Sequence, residues 1–419
     1  MGHFFTGSKN IDRDSYLWNM VGSVLQAFQS VVFLMILTRT VGLVQAGIFT
    51  IAYANANLFL NIGKYGMRYY QVSDVKEQYS FKEYVYSRGI TVAAMIMVSF
   101  VYTGYAAAVN GYSAEKFWII VWMCLYKAVD AIEDVYCGNY QQKGRLDVAS
   151  KVLVIRTGIA TLVYAIGIVL LQNQLNALVI ATIISYVLMV WFLHYTETFF
   201  CGNGNKETIR IGQIMQLLKS CFPLFIGFFL SFYIGNAPKY AIDAQLSDEV
   251  QACYGFIAMP VFVIGMLNNF IFNPLLHKMA ILWEDRNISE FRRQTILQIC
   301  AIVFITIVCM IGAWMIGIPV LSWMYHTNLA EYKTELLILL AGGGFLGLSG
   351  LLNAMITIVR FQKSVAWGYG VVAVMAFLLS DSIVQMYGIR GAAVLYTILM
   401  GGLSICFGGF LIVGVYKKR

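Results

Sequence analysis

Apolar positions follow one another in long blocks, and polar positions are largely confined to the connections between the blocks. Each block extends over about 20 residues, the length that an α-helix needs to cross the hydrocarbon core of a bilayer. The 419-residue chain therefore predicts twelve membrane-spanning helices. They are expected at residues 17–38, 43–63, 89–109, 117–136, 152–171, 175–195, 221–246, 250–276, 295–318, 335–358, 365–387 and 391–415.

Composition agrees with an all-α integral membrane protein. Hydrophobic residues make up 59% of the chain and charged residues only 12%, whereas soluble domains carry about 25% charged residues. The formal net charge of +8 is spread over short connections rather than gathered in a patch, so nucleic acid is not an expected partner.

Positive charge is distributed unequally between the two sets of connections. The longer polar connections carry most of the Lys and Arg residues, and the opposite connections carry only Arg39, Lys116, Lys239, Lys333 and Arg390. Because basic residues are retained on the cytoplasmic side, this asymmetry predicts a multi-pass protein with both termini in the cytoplasm.

The chain divides into two halves at its most polar break, Phe199–Gly212. The pattern Val-Gln-Ala followed by Ile-Ala occurs at 44–52 and again at 250–258, at the start of the second predicted helix of each half. A six-plus-six duplication gives both halves the same orientation. We therefore predict two six-helix lobes, 1–204 and 205–419, related by a pseudo-two-fold axis along the membrane normal.

Charged residues interrupt the fourth predicted helix near its middle. Lys127, Asp130 and Asp134 share one helical face, and Glu133 is expected to point elsewhere and reach water. A charge at mid-bilayer costs at least about 2.5–3.5 kcal/mol unless it meets a partner or a watery cavity. Two interpretations stay open: a Lys127–Asp130 pair that fixes helix packing, or a face that lines a polar pathway.

The seventh predicted helix contains Lys239 and Asp243 next to Pro238. A helix that is broken at a proline at membrane depth typically lines a cavity. Alternatively, the helix ends near Gly235 and Lys239 lies in an outer loop.

Two arginines near helix ends also allow two interpretations each. Arg156 lies about one turn inside the fifth predicted helix, where it either contributes to function or extends to the membrane surface. Arg68 follows the second predicted helix, where it either meets an anionic headgroup or is a solvated loop residue.

No motif for ATP hydrolysis, metal binding or a catalytic triad is present in the sequence. The eight cysteines are scattered without a ligand spacing, and the four histidines are isolated. We therefore expect no cofactor and no metal.

Short local motifs occur along the chain: Asn10-Ile11-Asp12-Arg13, Thr38-Arg39-Thr40-Val41-Gly42 with Ala46-Gly47-Ile48-Phe49, Gly66-Met67-Arg68 with Gln71, and Gln142-Lys143-Gly144-Arg145. These motifs resemble those of bacterial polysaccharide transporters of the Wzx type, the O-antigen flippases of the superfamily that also contains MATE exporters and lipid II flippases. The resemblance covers the whole chain.

This resemblance implies a transporter rather than an enzyme, with two lobes that open alternately to each side of the bacterial inner membrane. Its expected substrate is an undecaprenyl-pyrophosphate-linked oligosaccharide, and its expected partners are the bilayer and a polysaccharide polymerase or other assembly protein. Burial and charge then suggest Lys127, Arg156, Lys239 and Arg68 as substrate-binding cations. The same argument makes Asp130, Asp134 and Asp243 their charge partners or proton carriers.

Two other functions remain open. A MATE-like cation-coupled drug exporter characteristically carries an acidic residue in its first span, and Leu17–Thr38 contains none. A membrane-embedded polymerase or ligase usually has a large outer loop, whereas the outer connections here are short.

Overall fold

The computed structural model describes residues 2–8, 10–74, 76–200 and 210–417, and no residue in these ranges lies in a β-strand. The first helices are α1 (Gly2–Thr6), α2 (Ile11–Thr40), α3 (Leu43–Lys64), α4 (Met67–Ser73), α5 (Phe81–Asn110), α6 (Ala114–Gln142), α7 (Leu146–Leu171) and α8 (Gln174–Phe200). They are followed by α9 (Ile211–Gln245), α10 (Asp248–Glu284), α11 (Ile288–Gly312), α12 (Ile318–Tyr325), α13 (Lys333–Ile358) and α14 (Lys363–Lys417). The all-α prediction is confirmed.

Every predicted span lies, to within one residue, inside a helix or a run of consecutive helical segments, and several of these helices extend well beyond the predicted ends. Among the described residues, ten helical segments are long and apolar enough to cross a membrane. α6 is not one of the ten, since its central part carries four charged residues. The chain is thus a multi-pass membrane protein, and the number of twelve spans remains a prediction.

The chain forms two compact units, Met1–Phe229 and Leu230–Arg419. The predicted lobe boundary at residues 204 and 205 lies outside the described residues. The division into two six-helix lobes remains a prediction.

α6 is the central helix of the first unit, because α3, α4, α5, α7 and α8 all pack against it. α3 approaches it closely at Gly63, where an added Cβ would lie 2.9 Å from Ala131 Cβ and 2.8 Å from Met95 Sδ. The fully buried Ile119, Ile120 and Met123 fill the first half of α6. The charged second half of the helix is therefore surrounded by protein on several sides.

α5 begins about two turns earlier than the predicted span at 89–109. Ser80 Oγ accepts a hydrogen bond from the Glu83 backbone N–H, and the Glu83 carboxylate accepts one from the Ser80 N–H. This capping box starts the helix at Phe81, so that Arg88 lies inside α5 rather than in a loop.

α9 continues through Pro238 to Gln245. The interpretation that the helix ends near Gly235 and leaves Lys239 in a loop is therefore wrong. α14 is interrupted at Gly388, which has a φ of 58° and a ψ of −139° and lies between the predicted spans 365–387 and 391–415.

The short helix α1 is fastened to α7 and α8. Phe5 is buried against Val152 and Phe192. Arg145 Nη2 donates to the Thr6 carbonyl (2.9 Å), and the hydrogen bonds of this guanidinium to Asp147 raise the pKa of Arg145 above its ordinary value.

Candidate functional site

The charged residues of α6 form ion pairs with neighbouring helices. Asp130 accepts from Lys127 on the same helix (3.2 Å to Oδ2) and from Arg156 on α7 (2.6 Å to Oδ1). Arg156 also lies 2.7 Å from Glu133 Oε2 and donates to Ser185 Oγ at 3.0 Å. These four charged residues form the inner cluster: Lys127, Asp130, Glu133 and Arg156.

Two of the sequence expectations are wrong at this cluster. Glu133 does not reach bulk water at the end of the helix, because its side chain is 1% exposed and pairs with Arg156. Arg156 does not extend to the surface, because its guanidinium is equally buried between Asp130 and Glu133. The sequence pattern places each residue on its own helix only, and the packing of α7 against α6 brings the two together.

Lys127 combines its ion pair with an aromatic environment. Its Nζ lies 4.9 Å from the Tyr53 ring centroid and 5.9 Å from that of Tyr126. The Tyr126 hydroxyl accepts from Gln29 Nε2 at 2.8 Å, which ties α6 to α2. The predicted Lys127–Asp130 pair is present, and a part of Lys127 in a substrate pathway stays a prediction.

Asp134 forms a second group of ion pairs, which faces α4 and α5. Arg88 Nη2 donates to Oδ2 at 2.9 Å, and Arg68 Nη1 lies 3.5 Å from Oδ1. Arg68 also donates to Gln141 Oε1 through Nη2 at 2.9 Å. The side chain of Arg88 is 2% exposed and that of Arg68 is 31% exposed, so Arg68 is the accessible member.

A tight turn places Arg68. Tyr65 and Gly66 both have left-handed backbone conformations, with φ values of 52° and 64°, and they turn the chain from α3 into α4. A Cβ at Gly66 would lie 2.8 Å from Leu224 Cβ on α9. Glycine is therefore required both by the conformation and by the close approach of α9.

A cavity of about 510 Å³ opens beside this turn within the first unit. Two cations, Lys64 and Arg68, line one part of it. Tyr69 and Phe228 line another part, with their rings stacked at a centroid distance of 5.3 Å. Its other hydrogen-bonding side chains are Asn19, Asn61, Ser73, Asp134 and Gln141.

A smaller cavity of about 70 Å³ leads toward the inner cluster. It is lined by Asp130 and Glu133. It shares four lining residues with the larger cavity, namely Asn19, Lys64, Arg68 and Asp134. Polar surface therefore continues from the outer cavity to Glu133.

The charges around the two cavities do not balance. Lys64 forms no ion pair with any described residue, whereas Arg68, Arg88, Lys127 and Arg156 all do. Across 2–8, 10–74, 76–200 and 210–229, the site thus brings five cations together with three carboxylates, Asp130, Glu133 and Asp134. This excess of positive charge favours an anionic ligand.

Lys239 and Asp243 belong to the second unit, in the last two turns of α9. Their parts as a substrate-binding cation and a charge partner stay predictions. The second unit has a cavity of its own, of about 550 Å³, lined by residues such as Trp283, Arg286 and Arg360. None of the predicted site residues lines that cavity.

Sequence reasoning missed Lys64, Arg88, Tyr69 and Phe228 as site residues. Only Arg88 had a usable signal, since Ser80-Phe81-Lys82-Glu83 is a capping-box pattern that would have placed Arg88 inside a helix. The other three are set by the α3–α4 turn and by the packing of α9 against it.

Comparison with known families identifies the chain. The model of the family described as "Polysaccharide biosynthesis protein" matches residues 13–279, well over half of the sequence. The chain belongs to this family. The resemblance inferred from the local motifs is thereby confirmed. No curated protein matches the sequence of this polysaccharide biosynthesis family member.

Solved structures with the same fold are transporters of the MOP superfamily. An inward-facing multidrug resistance MATE family transporter aligns with a TM-score of 0.69 at 11% identity, over 95% of this chain and 98% of that protein. The lipid II flippase MurJ in an inward closed conformation aligns with 0.70 at 13%, over 97% and 87%. The Vibrio cholerae MATE transporter VcmN in its bent form aligns with 0.60 at 13%, over 96% and 98%. At such identities the likeness shows the fold alone.

Proposed function

We propose that this polysaccharide biosynthesis protein is a flippase. Its substrate is an undecaprenyl-pyrophosphate-linked oligosaccharide, which it moves by alternating access from the cytoplasmic to the outer leaflet of the bacterial inner membrane. The observation that carries the proposal is the outer cavity, because two cations and an aromatic wall face the same space in the first unit.

A sugar-pyrophosphate headgroup needs both kinds of surface. Its phosphates carry negative charge, which Lys64 and Arg68 can bind, and arginine binds phosphate oxygens through two parallel hydrogen bonds. A sugar ring has an apolar face that packs on an aromatic ring, and Tyr69 is 67% exposed beside the two cations. The amides of Asn19, Asn61 and Gln141 supply hydrogen bonds for sugar hydroxyls.

The arrangement of ion pairs allows Arg68 to exchange partners. Asp134 keeps its short, buried pair with Arg88 when Arg68 turns from its 3.5 Å contact toward a phosphate. Lys64 forms no ion pair with a described carboxylate, so it breaks none when it binds a phosphate. Headgroup binding therefore leaves no buried carboxylate without a cation, which keeps the cost of the loaded state low.

The remaining predicted site residues take supporting parts in the proposal. Lys127 and Arg156 hold the positive charge of the inner cluster along the path of the headgroup, with Asp130 as their common partner. Lys239 and Asp243 are proposed to serve the same path from the second unit. The polyprenyl chain stays in the lipid, both termini lie in the cytoplasm, and a polymerase or another assembly protein receives the product.

The function is tested by a leaflet assay in cells from which the gene is deleted. Undecaprenyl-linked oligosaccharide is labelled from outside with a membrane-impermeant reagent and then extracted. We expect it to accumulate unlabelled in the deletion strain and to become accessible again when the wild-type protein is restored. Normal labelling in the deletion strain together with altered drug resistance would overturn the proposal in favour of an exporter.

Two variants test whether transport in this assay depends on the outer cavity. Arg68→Gln should insert at the wild-type level and fail to restore labelling, because the phosphate loses its accessible guanidinium. Arg293→Gln is the matched control, since Arg293 is 73% exposed and lies on α11 in the second unit. Altered product length made by purified protein in detergent, where no leaflets exist, would instead support a polymerase or ligase.

A further inference from the structure

Glu133 differs from the other two carboxylates of the site in how its oxygens are partnered. Both oxygens of Asp130 face a cation, Lys127 at Oδ2 and Arg156 at Oδ1. Both oxygens of Asp134 face an arginine as well. In Glu133, the Nε and Nη2 atoms of Arg156 both approach Oε2, at 2.9 and 2.7 Å.

The second oxygen of Glu133, Oε1, has no described cation beside it. Oε1 is buried and has no hydrogen-bond partner among the described residues. A buried acceptor without a partner is costly, and a carboxylate more so than a neutral group. Glu133 also lines the 70 Å³ cavity, which has room for water and continues into the outer cavity through shared lining residues.

Charged and titratable groups on the neighbouring helices lie around Glu133 or pair with a carboxylate of the same site. The groups are Lys127, Asp130, Asp134 and Cys137 on α6, Lys64 on α3, Arg68 on α4, Arg88 on α5 and Arg156 on α7. α2 contributes the neutral Asn19 and Gln26, and α8 contributes Ser185. Of the three carboxylates, Glu133 has the fewest cations in contact, and it is therefore the one that loses least when its charge is removed.

We infer that Glu133 is a proton site linked to anion binding in the outer cavity. With all groups charged, the inner cluster has two cations and two carboxylates and is neutral. One proton on Glu133 gives the cluster a net charge of +1 and weakens the electrostatic attraction between Glu133 and Arg156. An anion beside Lys64 and Arg68 then meets a more positive site and binds more tightly.

The linkage acts in both directions. If the proton tightens the binding of the anion, the anion tightens the binding of the proton by the same factor. The inference rests on the proposed function, because it takes the anion to be the phosphate of the headgroup. The inference adds that the residue which binds the proton is Glu133, rather than Asp130, Asp134 or Asp243.

The test uses purified full-length protein in lipid nanodiscs and inorganic sulfate as the anion, since the charge of sulfate does not change between neutral and mildly acidic pH. Calorimetry gives the dissociation constant at each pH and, from buffers with different ionisation enthalpies, the protons taken up per sulfate. We expect wild-type affinity to rise about fivefold or more toward acidic pH, with proton uptake on binding. Sulfate affinity that does not change with pH, or no sulfate binding at all, would overturn the inference.

Glu133→Gln imitates the protonated state, so we expect it to bind sulfate tightly at every pH and without proton uptake. A merely disruptive substitution would weaken binding instead. Asp134→Asn should keep the pH dependence. If the pH dependence of sulfate affinity is lost in Asp134→Asn and persists in Glu133→Gln, the proton binds Asp134 and the inference is overturned.

A second readout covers the case in which Glu133→Gln does not fold. Infrared difference spectra of the wild-type protein should show the C=O band of a protonated carboxylic acid when sulfate is added, with a shifted band in Glu133→Asp. Absence of this band would contradict the inference. Proton-linked sulfate binding together with normal labelling in the deletion strain would contradict only the proposed function. Labelling that is restored by the wild-type protein, together with sulfate binding that takes up no proton, would contradict only the inference about Glu133.

Discussion

Arg88 and Asp134 form a 2.9 Å ion pair between α5 and α6 in which the side chains are only 2% and 7% exposed. The same arginine donates a further hydrogen bond to the carbonyl of Gly63, so that one guanidinium joins three helices. Arg68 reaches the other oxygen of Asp134 from the cavity side, at a longer distance and with a third of its side chain exposed.

This difference predicts that the two arginines have separate roles. Arg88→Met leaves a buried carboxylate with only its longer contact, and we expect a loss of about 3–5 kcal/mol in stability. Arg68→Met should cost less than about 1 kcal/mol, as for an exposed pair. Thermal unfolding of the purified variants in detergent measures both, and Arg88→Met with Asp134→Asn should recover much of the loss. Equal destabilisation by the two single variants would contradict the distinction.

Lys127 is the clearest test of the inner cluster. Lys127→Ala leaves Asp130 paired with Arg156, so we expect normal insertion and abundance but loss of transport in the leaflet assay. Lys116→Ala, near the start of the same helix, is the matched control and should transport normally. Unchanged transport in Lys127→Ala would assign this lysine to packing.

The aromatic wall predicts a graded effect at Tyr69. Tyr69→Phe keeps the ring that stacks on Phe228 and should retain most of the transport. Tyr69→Ala removes it, and an aromatic contact of about 0.5–1.5 kcal/mol corresponds to a loss of roughly twofold to tenfold in headgroup affinity. The rate of outward labelling at limiting substrate measures the effect. A Tyr69→Phe variant as poor as Tyr69→Ala would show that the hydroxyl, not the ring, binds the substrate.

Gly388 predicts a stability effect of opposite sign from that of another glycine in α14. Its φ of 58° and ψ of −139° are nearly closed to other residues, so Gly388→Ala should cost about 1–3 kcal/mol. Gly370→Ala meets open space and has no positive φ, and it should stabilise by up to about 1 kcal/mol. Melting temperatures that shift in the same direction for both variants would refute this interpretation of the interruption.

Sequence alone was sufficient for the helices because their signal is local. A run of apolar residues of bilayer length predicts a helix whatever its neighbours are, and each predicted run lies, to within one residue, in a helix or in consecutive helical segments. The Lys127–Asp130 pair is local too, since residues three apart on a helix face each other.

The rest of the site depends on contacts between distant parts of the chain. Arg88 is 46 residues from Asp134, and Arg156 is 23 residues from Glu133. Which face of α6 meets which helix is set by packing, and for that reason the orientation expected for Glu133 was wrong. At Pro238 the expectation was local, since a proline tends to end or break a helix. It was wrong there, because α9 continues through the proline.

The charged middle of α6 has a consequence for how the protein is made. Each unpaired charge in a lone helix resists release from the insertion machinery into lipid by at least about 2.5 kcal/mol. Arg88 has already been synthesised when Asp134 emerges, but Arg156 follows Asp130 and Glu133 by more than twenty residues. We therefore expect α6 to be retained at the translocon until α7 arrives, so that α5, α6 and α7 enter the bilayer together.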